Sequence, residues 1–349
     1  MSNSARIVSP PLPDPCLVGF PLDPLSALPS GEPLTLAVWL RHWLDSAVAP
    51  YRARTTVYCY TNIVENHLIP ALGKVHLSQL TPELINQYYH WLMTSQGLSP
   101  NTVRKHHILL HTSLQHAFRQ GVLQTNPVQR AVPPSSVPGQ AKYYTPQQLA
   151  HLLNVVRGHP LELPVNLACY LGLRRSEILG LRWRDVDLQS GRITVRQVRT
   201  SMGHEVVEKA PKTRDSCRTL SIAPLQSLMT LLDETHRYRL VRGIPCGGDD
   251  PVILDSRRHP WHPNTLSATF ACFISSHGLP PITLHGLRHT FASVASSARV
   301  PLYEISRALG HSNPSTTQRI YTHLFDLTHG EVLAAVAAAI PADLSEPHP

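Results

Sequence analysis

The sequence predicts a mainly α-helical protein of two domains, with a small antiparallel sheet in the second. Apolar residues recur at helical spacing from "TLAVWLRHWLDSAVA" onward. The stretch "NPVQRAVPPSSVPGQAK" has no such period and is rich in proline, serine and glycine, which is typical of a linker. Two short β-branched segments, "RITVRQV" and "RTLSIAP", follow it and indicate strands. With 349 residues the chain is long enough to bury two cores.

The first predicted domain, residues 33–130, is entirely helical. Thr35 is a suitable N-cap for its first helix, and Thr81 and Ser99, each followed by proline, are suitable N-caps for two later helices. Gly97 and Gly121 are expected to end those two helices. Five helical segments result, one of them covering about residues 53–69.

The flanking and linking segments are predicted from their proline content and periodicity. Residues 1–32 hold so many prolines that we expect a tail without regular structure. Residues 131–142 are the predicted linker. At the other end, residues 331–349 are expected to form a short alanine-rich helix and an acidic tail.

The second predicted domain, residues 143–330, mixes helices with the small sheet. It opens with a helix at "TPQQLAHLLNVVRG", and a second helix is expected near 162–180. The two strands follow, joined through the polar segment "EKAPKTRDSC", and the remainder is predicted to be helical.

Composition indicates an anionic partner. The net charge is +8, and basic residues outnumber acidic ones in both predicted domains. The six cysteines are scattered without a CxxC pair, which argues against a zinc ribbon or a disulfide framework. There is no signal-peptide pattern and no apolar run approaching 18 residues. We therefore expect a cytoplasmic protein with no membrane partner.

Several side chains of the second domain have chemistry that could act together. His285 and Arg288 lie three residues apart at a predicted helix start, so both face the same way. Arg174 has Glu177 one turn further along the chain. Tyr321 lies in "LGHSNPSTTQRIYTHL", where its hydroxyl could either sit at the edge of a core or be a nucleophile.

Four separated blocks resemble the tyrosine recombinases, the phage-integrase-type site-specific recombinases, in the order found in that family. The blocks are "GLRRSEILGLRW", "PKTRDSCRTLSI", "LHGLRHTFAS" and "LGHSNPSTTQRIYTH". The helical domain is similar to the core-binding domain of the family, so that the resemblance covers about residues 35–330.

The resemblance implies a two-domain clamp around DNA, with a SAM-like core-binding domain followed by a mostly helical α/β catalytic domain. It implies recombination of the integration or excision type by a mobile-element enzyme. Strands would be cleaved and rejoined through a 3′-phosphotyrosyl intermediate, with no metal, ATP or other cofactor. The implied partners are double-stranded DNA with paired core sites, further copies of the chain in a tetramer on DNA, and an accessory directionality factor.

The same resemblance assigns the catalytic residues. Arg174 and Arg288 would bind the scissile phosphate. His285, the histidine of the HxxR motif, would assist, as would Lys212 and a second histidine, His311. Tyr321 would attack the phosphate. Glu177 would orient the first arginine, and His289 would be a supporting histidine. Lys209 lies three residues before Lys212, and the choice between the two stays open.

The chemistry is consistent with these residue types. Two guanidiniums can bind phosphate oxygens bidentately and stabilise the charge that develops there. A tyrosine hydroxyl has a pKa of about 10 and needs a base, for which His285 suits near neutral pH. A lysine can protonate the leaving 5′-oxygen, more readily if nearby arginines lower its pKa.

Two other functions remain open. A type IB topoisomerase would relax DNA by nearly the same chemistry within one duplex. A catalytically silent DNA-binding regulator could keep the fold, although it would have no need of Tyr321.

The 21 histidines also raise the question of a metal site. His107 and His111 lie four residues apart on a predicted helix, but no third ligand has a convincing spacing, so no metal site is predicted. Basic residues on that helix and near the second helical segment are better explained as DNA contacts. The candidate DNA contacts are Arg52, Arg54, Arg104, Lys105 and His106.

Overall fold

A computed structural model describes residues 34–137, 142–211 and 216–310 of the chain. It divides into two compact units, Met1–Pro138 and Gly139–Pro349. The tail predicted for residues 1–32 and the helix predicted for 331–349 lie outside the described residues, so both stay predictions.

The described part of the first unit is helical. Its elements are α1 (Leu36–Trp43) with a π-helical turn (Leu44–Val48), α2 (Arg54–Ile63) with a π-helical turn (Val64–Leu68), α3 (Ile69–Leu72), a 3₁₀ turn (Leu77–Gln79), α4 (Pro82–Thr94), α5 (Pro100–Arg119) and a 3₁₀ turn (Pro127–Arg130).

The predicted helix boundaries of this unit are confirmed. Thr35, Thr81 and Ser99 are the N-caps of α1, α4 and α5, and each hydroxyl accepts a hydrogen bond from the amide three residues on. Gly97 and Gly121 follow the ends of α4 and α5 with φ of 62° and 74°, the left-handed conformation that ends a helix.

The core of this unit joins its first helix to its longest one. Trp39 of α1 is fully buried, and its indole Nε1 donates a hydrogen bond to Ser113 Oγ of α5 at 3.0 Å. Burying an indole is favourable only where its N–H finds a partner, and Ser113 supplies one.

The described part of the second unit mixes helices and short strands. Its elements are α6 (Pro146–Val155), α7 (Glu162–Leu171), α8 (Arg175–Gly180), a 3₁₀ turn (Trp183–Asp185), β1 (Val186–Asp187), β2 (Arg192–Val195), β3 (Val198–Met202), β4 (Glu205–Lys209), β5 (Arg218–Ser221), α9 (Gln226–Val241), α10 (Pro263–Ser276), α11 (Leu284–Ser297) and α12 (Leu302–Leu309).

The small antiparallel sheet is confirmed. The strands β1, β2 and β5 pair in that order, with Ile193 opposite Leu220. A second hairpin, β3–β4, places Thr200 opposite Val207 and was not predicted. No face of that hairpin is consistently buried, so its sequence lacks the alternation of apolar and polar residues that identifies a strand.

The prediction of one continuous helix near 162–180 is wrong. The helix stops at Leu171 because Gly172 takes a left-handed φ of 60°, and a new helix, α8, starts at Arg175. A Cβ atom at Gly172 would lie 2.8 Å from side-chain carbons of Phe291 and Leu309. The break therefore lets α11 and α12 approach the end of α7 closely, and it leaves Arg174 at the N-cap of α8.

Packing of α11 fixes the position of the predicted HxxR residues. This helix packs chiefly against α7, and α12 covers it through a cluster of Ala292, Ile305 and Leu309. Across the described ranges, no helix combines the length and the apolar character needed to cross a membrane. The cysteines within these ranges, Cys59, Cys169, Cys217, Cys246 and Cys272, are free thiols.

We predict that Gly172→Ala destabilises the second unit more than Gly243→Ala does. Both glycines have a φ of 60°, so each substitution carries the left-handed backbone cost of about 1–2 kcal/mol. Only Gly172 adds a steric clash, worth about 1–3 kcal/mol more, because nothing lies within 4 Å of a Cβ at Gly243. Urea denaturation of both variants measures the free energy of unfolding. An equal decrease for the two variants would contradict the packing around Gly172.

Candidate active site

The candidate active site of the second unit lies where α8, α11 and the end of α12 meet. Arg174 precedes α8, and His285 and Arg288 lie on the first turns of α11. Arg174 and His285 line the same cavity of about 490 Å³, together with Thr283 at the N-cap of α11. Predicted residues 111 positions apart in sequence are thus neighbours in the fold.

At the centre of the site is the buried carboxylate of Glu177, whose side chain is 1% exposed. Arg174 Nη1 lies 2.5 Å from Oε1, Arg218 Nη2 lies 3.0 Å from Oε2, and Arg288 Nη1 lies 4.0 Å from Oε2. Oε2 also accepts a hydrogen bond from the backbone amide of Arg174 at 3.0 Å. Glu177 therefore contacts both the side chain and the backbone of the arginine it was predicted to orient.

The charge state of Glu177 follows from this environment. Burial by itself would raise the pKa of its carboxyl group, but the charges and hydrogen bonds of Arg218 and Arg174 outweigh burial and lower the pKa. The carboxylate is therefore ionised near neutral pH. Three guanidiniums around one carboxylate leave an excess of two positive charges, as a site for an anion requires.

Arg288 is the most deeply placed of these arginines, with 1% of its side chain exposed. Its Nη1 donates to the carbonyl of Gly172 at 2.6 Å and its Nη2 to the carbonyl of Leu309 at 2.7 Å. These bonds tie α11 to the break after α7 and to the end of α12. These two bonds fix the orientation of the guanidinium.

Arg174 is the accessible arginine, with 33% of its side chain exposed. Its Nη2 donates to the carbonyl of Gly310 at 3.2 Å, which joins it to the residue before His311. Arg174 and Arg288 therefore both contact the end of α12, one from the surface and one from the interior.

The two histidines of α11 pack against each other, with the ring centroids of His285 and His289 4.7 Å apart. Desolvation by the surrounding protein and the charges of Arg288 and Arg174 lower the pKa of His285 below 6.5. Desolvation and the neighbouring positive charges lower the pKa of His289 to about 4. Both rings are therefore neutral at neutral pH, and the exposed His285 is suited to accept a proton.

Three of the predicted catalytic residues, Lys212, His311 and Tyr321, lie outside the described residues. The described chain stops at Gly310, directly before His311, and the interval 212–215 separates β4 from β5. Lys209 is the last residue of β4, opposite Val198. The choice between Lys209 and Lys212 therefore stays open.

Arg218 of β5 is a site residue that the sequence analysis missed. Besides its contact with Glu177, its Nε donates to the carbonyl of Ala308 at 2.7 Å. It belongs to the block "PKTRDSCRTLSI", and the only available signal was a charged residue at a strand start. A strand arginine is usually solvent-exposed, so nothing in the sequence indicates that this one points inward.

In the first unit the candidate DNA contacts divide into exposed and interior residues. Arg52, Arg54 and Lys105 are exposed, whereas Arg104 is half-buried and its Nη1 donates to the carbonyl of Pro134 at 3.0 Å.

The prediction that His106 contacts DNA is wrong for the folded unit. The residue is 1% exposed, its Nδ1 shares a hydrogen bond of 2.9 Å with the hydroxyl of Tyr88, and burial lowers its pKa to about 4. The rings of His107 and His111 stack 6.2 Å apart, and His107 Nδ1 shares a hydrogen bond with the hydroxyl of Tyr89. Within the described ranges, no three side chains of the kinds that bind metals come together.

Comparison with known families covers most of the chain. The model of the phage integrase family matches residues 142–327, and that of the phage integrase SAM-like domain matches residues 42–132. A XerC-like tyrosine recombinase of Caldanaerobacter subterraneus is 26% identical over 316 residues, which are 84% of this chain and 80% of that protein. A putative prophage phiRv2 integrase of Mycobacterium tuberculosis is 25% identical over 76% of this chain and 68% of its own length.

Solved structures share the fold. The integrase of the transposon Tn1549 in complex with circular intermediate DNA superposes with a TM-score of 0.74 at 17% identity, covering 88% of this chain and 100% of that one. A lambda integrase tetramer bound to a Holliday junction gives a TM-score of 0.63 at 19% identity, covering 83% of this chain and 78% of that one. The predicted combination of a SAM-like helical domain and a mostly helical domain with small antiparallel sheets is confirmed.

The model of the phage integrase family covers more than half of the chain. The chain therefore belongs to the phage integrase family, the tyrosine recombinases, which are enzymes of site-specific DNA recombination.

Proposed function

We propose that this enzyme cleaves and rejoins DNA through a covalent 3′-phosphotyrosyl link to Tyr321, in recombination of the integration or excision type. The observation that carries the proposal is the convergence of Arg174, Arg218 and Arg288 on the buried carboxylate of Glu177, beside His285. Such a concentration of positive charge at the edge of a cavity fits a phosphate group.

Stabilisation of the attacked phosphate is the first step that these residues support. Attack on a phosphodiester adds negative charge to the non-bridging oxygens, and fixed guanidiniums stabilise that charge without reorganising. Arg174 is partly exposed and lines the cavity, and Arg288 lies beside the carboxylate of Glu177, so these two are proposed to bind the phosphate. Glu177 and the carbonyls of Gly172 and Leu309 hold them in place beforehand.

Proton transfer is assigned to His285 and a lysine. The lowered pKa of His285 keeps its ring neutral, so it can take the proton of the Tyr321 hydroxyl as that oxygen attacks. Lys212, with Lys209 as the alternative, is proposed to protonate the leaving 5′-oxygen, and His311 is proposed to contact the phosphate.

Rejoining is the reverse of cleavage. The phosphotyrosyl bond keeps the energy of the phosphodiester, so a 5′-hydroxyl from a partner strand can attack it and release Tyr321. Strand exchange therefore needs no ATP, and the positive charge that the reaction needs comes from arginine and lysine side chains.

The proposed partner is duplex DNA with paired core sites. Recombination joins two duplexes with two subunits on each, and so we propose a tetramer on DNA, assisted by an accessory directionality factor. The structural relatives support this proposal, since one is a transposon integrase on circular intermediate DNA and one is a lambda integrase tetramer on a Holliday junction. Exposed Arg52, Arg54 and Lys105 are proposed to bind phosphates.

Covalent trapping tests the nucleophile. The protein is mixed with sheared genomic DNA from the organism that encodes it, denatured in SDS, and the protein-linked fragments are sequenced. We expect wild type to link DNA at a recurrent inverted-repeat site and Tyr321→Phe to link none. Tyr303→Phe, which changes an exposed tyrosine of α12, is the matched control and should link DNA as wild type does.

Linkage by Tyr321→Phe, or none by wild type despite DNA binding, would refute the proposed nucleophile. Relaxation of plasmid DNA without exchange between two recovered sites would instead favour the topoisomerase alternative.

The pH dependence tests the base. Because the pKa of His285 is lowered below 6.5, its ring is neutral at pH 7, and single-turnover linkage should slow only as the pH falls below 6.5 and the ring is protonated. We expect His285→Gln to slow linkage by about 10²- to 10⁴-fold and to abolish that acidic decline. His151→Gln, on an exposed position of α6, should keep the wild-type profile. A decline that persists in His285→Gln would assign it to another group.

Salt dependence tests the phosphate contacts of the first unit. We expect Arg52→Gln to reduce the slope of log Kd against log salt concentration by about 1 for a 30-base-pair duplex, measured by fluorescence anisotropy. Arg41→Gln is the control, because both of its hydrogen bonds to Glu65 are 2.9 Å long and this pairing already offsets its charge. An unchanged slope for Arg52→Gln would remove Arg52 from the DNA interface.

A further inference from the structure

The side chain of Arg218 uses all three of its nitrogens inside the second unit. Nη1 and Nη2 contact the two carboxylate oxygens of Glu177 at 3.3 and 3.0 Å, and Nε donates to the carbonyl of Ala308 at 2.7 Å. The side chain is only 8% exposed. This geometry is a bidentate fork on a buried carboxylate with a third bond to a helix end, which only a guanidinium can make at once.

These bonds connect the three segments that lead to the proposed catalytic groups. Arg218 itself begins β5, shortly after the interval that contains Lys212. Glu177 lies in α8 and holds Arg174. Ala308 lies on the last turn of α12, three residues before His311.

The close approach of Arg218 to the end of α12 depends on Gly310. This glycine has a φ of 65°, and a Cβ atom there would lie 2.8 Å from Arg218 Nη1. The carbonyl of Gly310 in turn accepts a hydrogen bond from Arg174 Nη2 at 3.2 Å. Arg218 and Arg174 therefore both donate hydrogen bonds to carbonyls at the end of α12, those of Ala308 and Gly310.

We propose that Arg218 is a positioning residue that sets Arg174 and the chain entering His311 in their reactive arrangement, an inference that rests on the proposed function. Its burial and its three protein bonds distinguish it from Arg174, which is partly exposed and lines the cavity. Without Arg218, the carboxylate of Glu177 would keep Arg174 as its nearest partner and hold it away from the phosphate. The last turn of α12 would also lose its hydrogen bond from Arg218 to the carbonyl of Ala308. Formation of the covalent link should then slow, while DNA binding persists.

The first test separates chemistry from binding, with a duplex recovered by covalent trapping with wild type. We expect Arg218→Gln to slow single-turnover linkage by about 10²-fold, the cost of misplacing a reacting group by about 1 Å, and to change Kd by no more than about twofold. Arg218→Lys keeps the charge without the fork and should behave more like Arg218→Gln than like wild type. The control is Arg237→Gln, which removes an exposed arginine paired with Asp233 at 2.6 Å and should react as wild type does.

The second test asks whether Arg218 acts through Arg174. The same duplex is made with a methylphosphonate at the scissile position, where a methyl group replaces one charged oxygen and leaves less charge for an arginine to stabilise. If Arg218 acts through Arg174, the defects of Arg218→Gln and Arg174→Ala both shrink on this substrate. The double variant then loses less than the product of the two single effects. A merely structural role would leave the Arg218→Gln defect equal on both substrates.

Linkage by Arg218→Gln at the wild-type rate, or equal defects on the two substrates, would overturn the inference. If circular dichroism shows that Arg218→Gln does not fold, Arg218→Lys takes its place in both tests. If wild type links no DNA, the proposed function itself is refuted. If wild type links DNA and the Arg218 variant reacts at the same rate, only the role of Arg218 is refuted.

Discussion

The ionised carboxylate of Glu177, buried in the second unit, is the group on which the site depends. An unpaired carboxylate in that position would be strongly unfavourable, so its burial requires cationic partners with good geometry. Arg174, Arg218 and Arg288 supply them from a helix cap, a strand and a helix that are far apart in sequence. The arginines in turn would repel one another without the carboxylate. The site therefore forms only when the second unit folds and brings these segments together.

The break after α7 makes this arrangement possible. A continuous helix through 162–180 would keep Arg174 in helical backbone and would hide the carbonyl of Gly172 inside the helical hydrogen-bond ladder. The left-handed turn at Gly172 frees that carbonyl for Arg288 and lets Leu309 pack against the glycine. Gly172 and Gly310 have similar roles, because each lacks a Cβ atom at a point where two segments of the site are in close contact.

Features set by local chemistry could be predicted from the sequence, whereas features set by distant contacts could not. The N-caps at Thr35, Thr81 and Ser99 depend on a hydroxyl and an amide three residues away, and all three were predicted. The break at Gly172 depends on Phe291 and Leu309, more than a hundred residues later, and was missed. His106 shows a different failure. Successive helical residues point about 100° apart, so a run of basic residues cannot all face DNA, and His106 faces the core.

The charge of the described site suits the transition state of the proposed reaction better than its substrate. In the proposed reaction, the substrate phosphodiester carries one negative charge, and attack by the tyrosyl oxygen would produce a pentacoordinate phosphorus with two. Three guanidiniums and one carboxylate leave an excess of two positive charges, and the lowered pKa values of His285 and His289 keep those rings from adding more. Only interactions that strengthen on going to the transition state accelerate the reaction. Because Arg218 and Arg288 are fixed by backbone carbonyls before DNA arrives, little reorganisation remains for the chemical step. The phosphodiester of the proposed substrate would therefore neutralise only half of the excess positive charge that the fold holds in place.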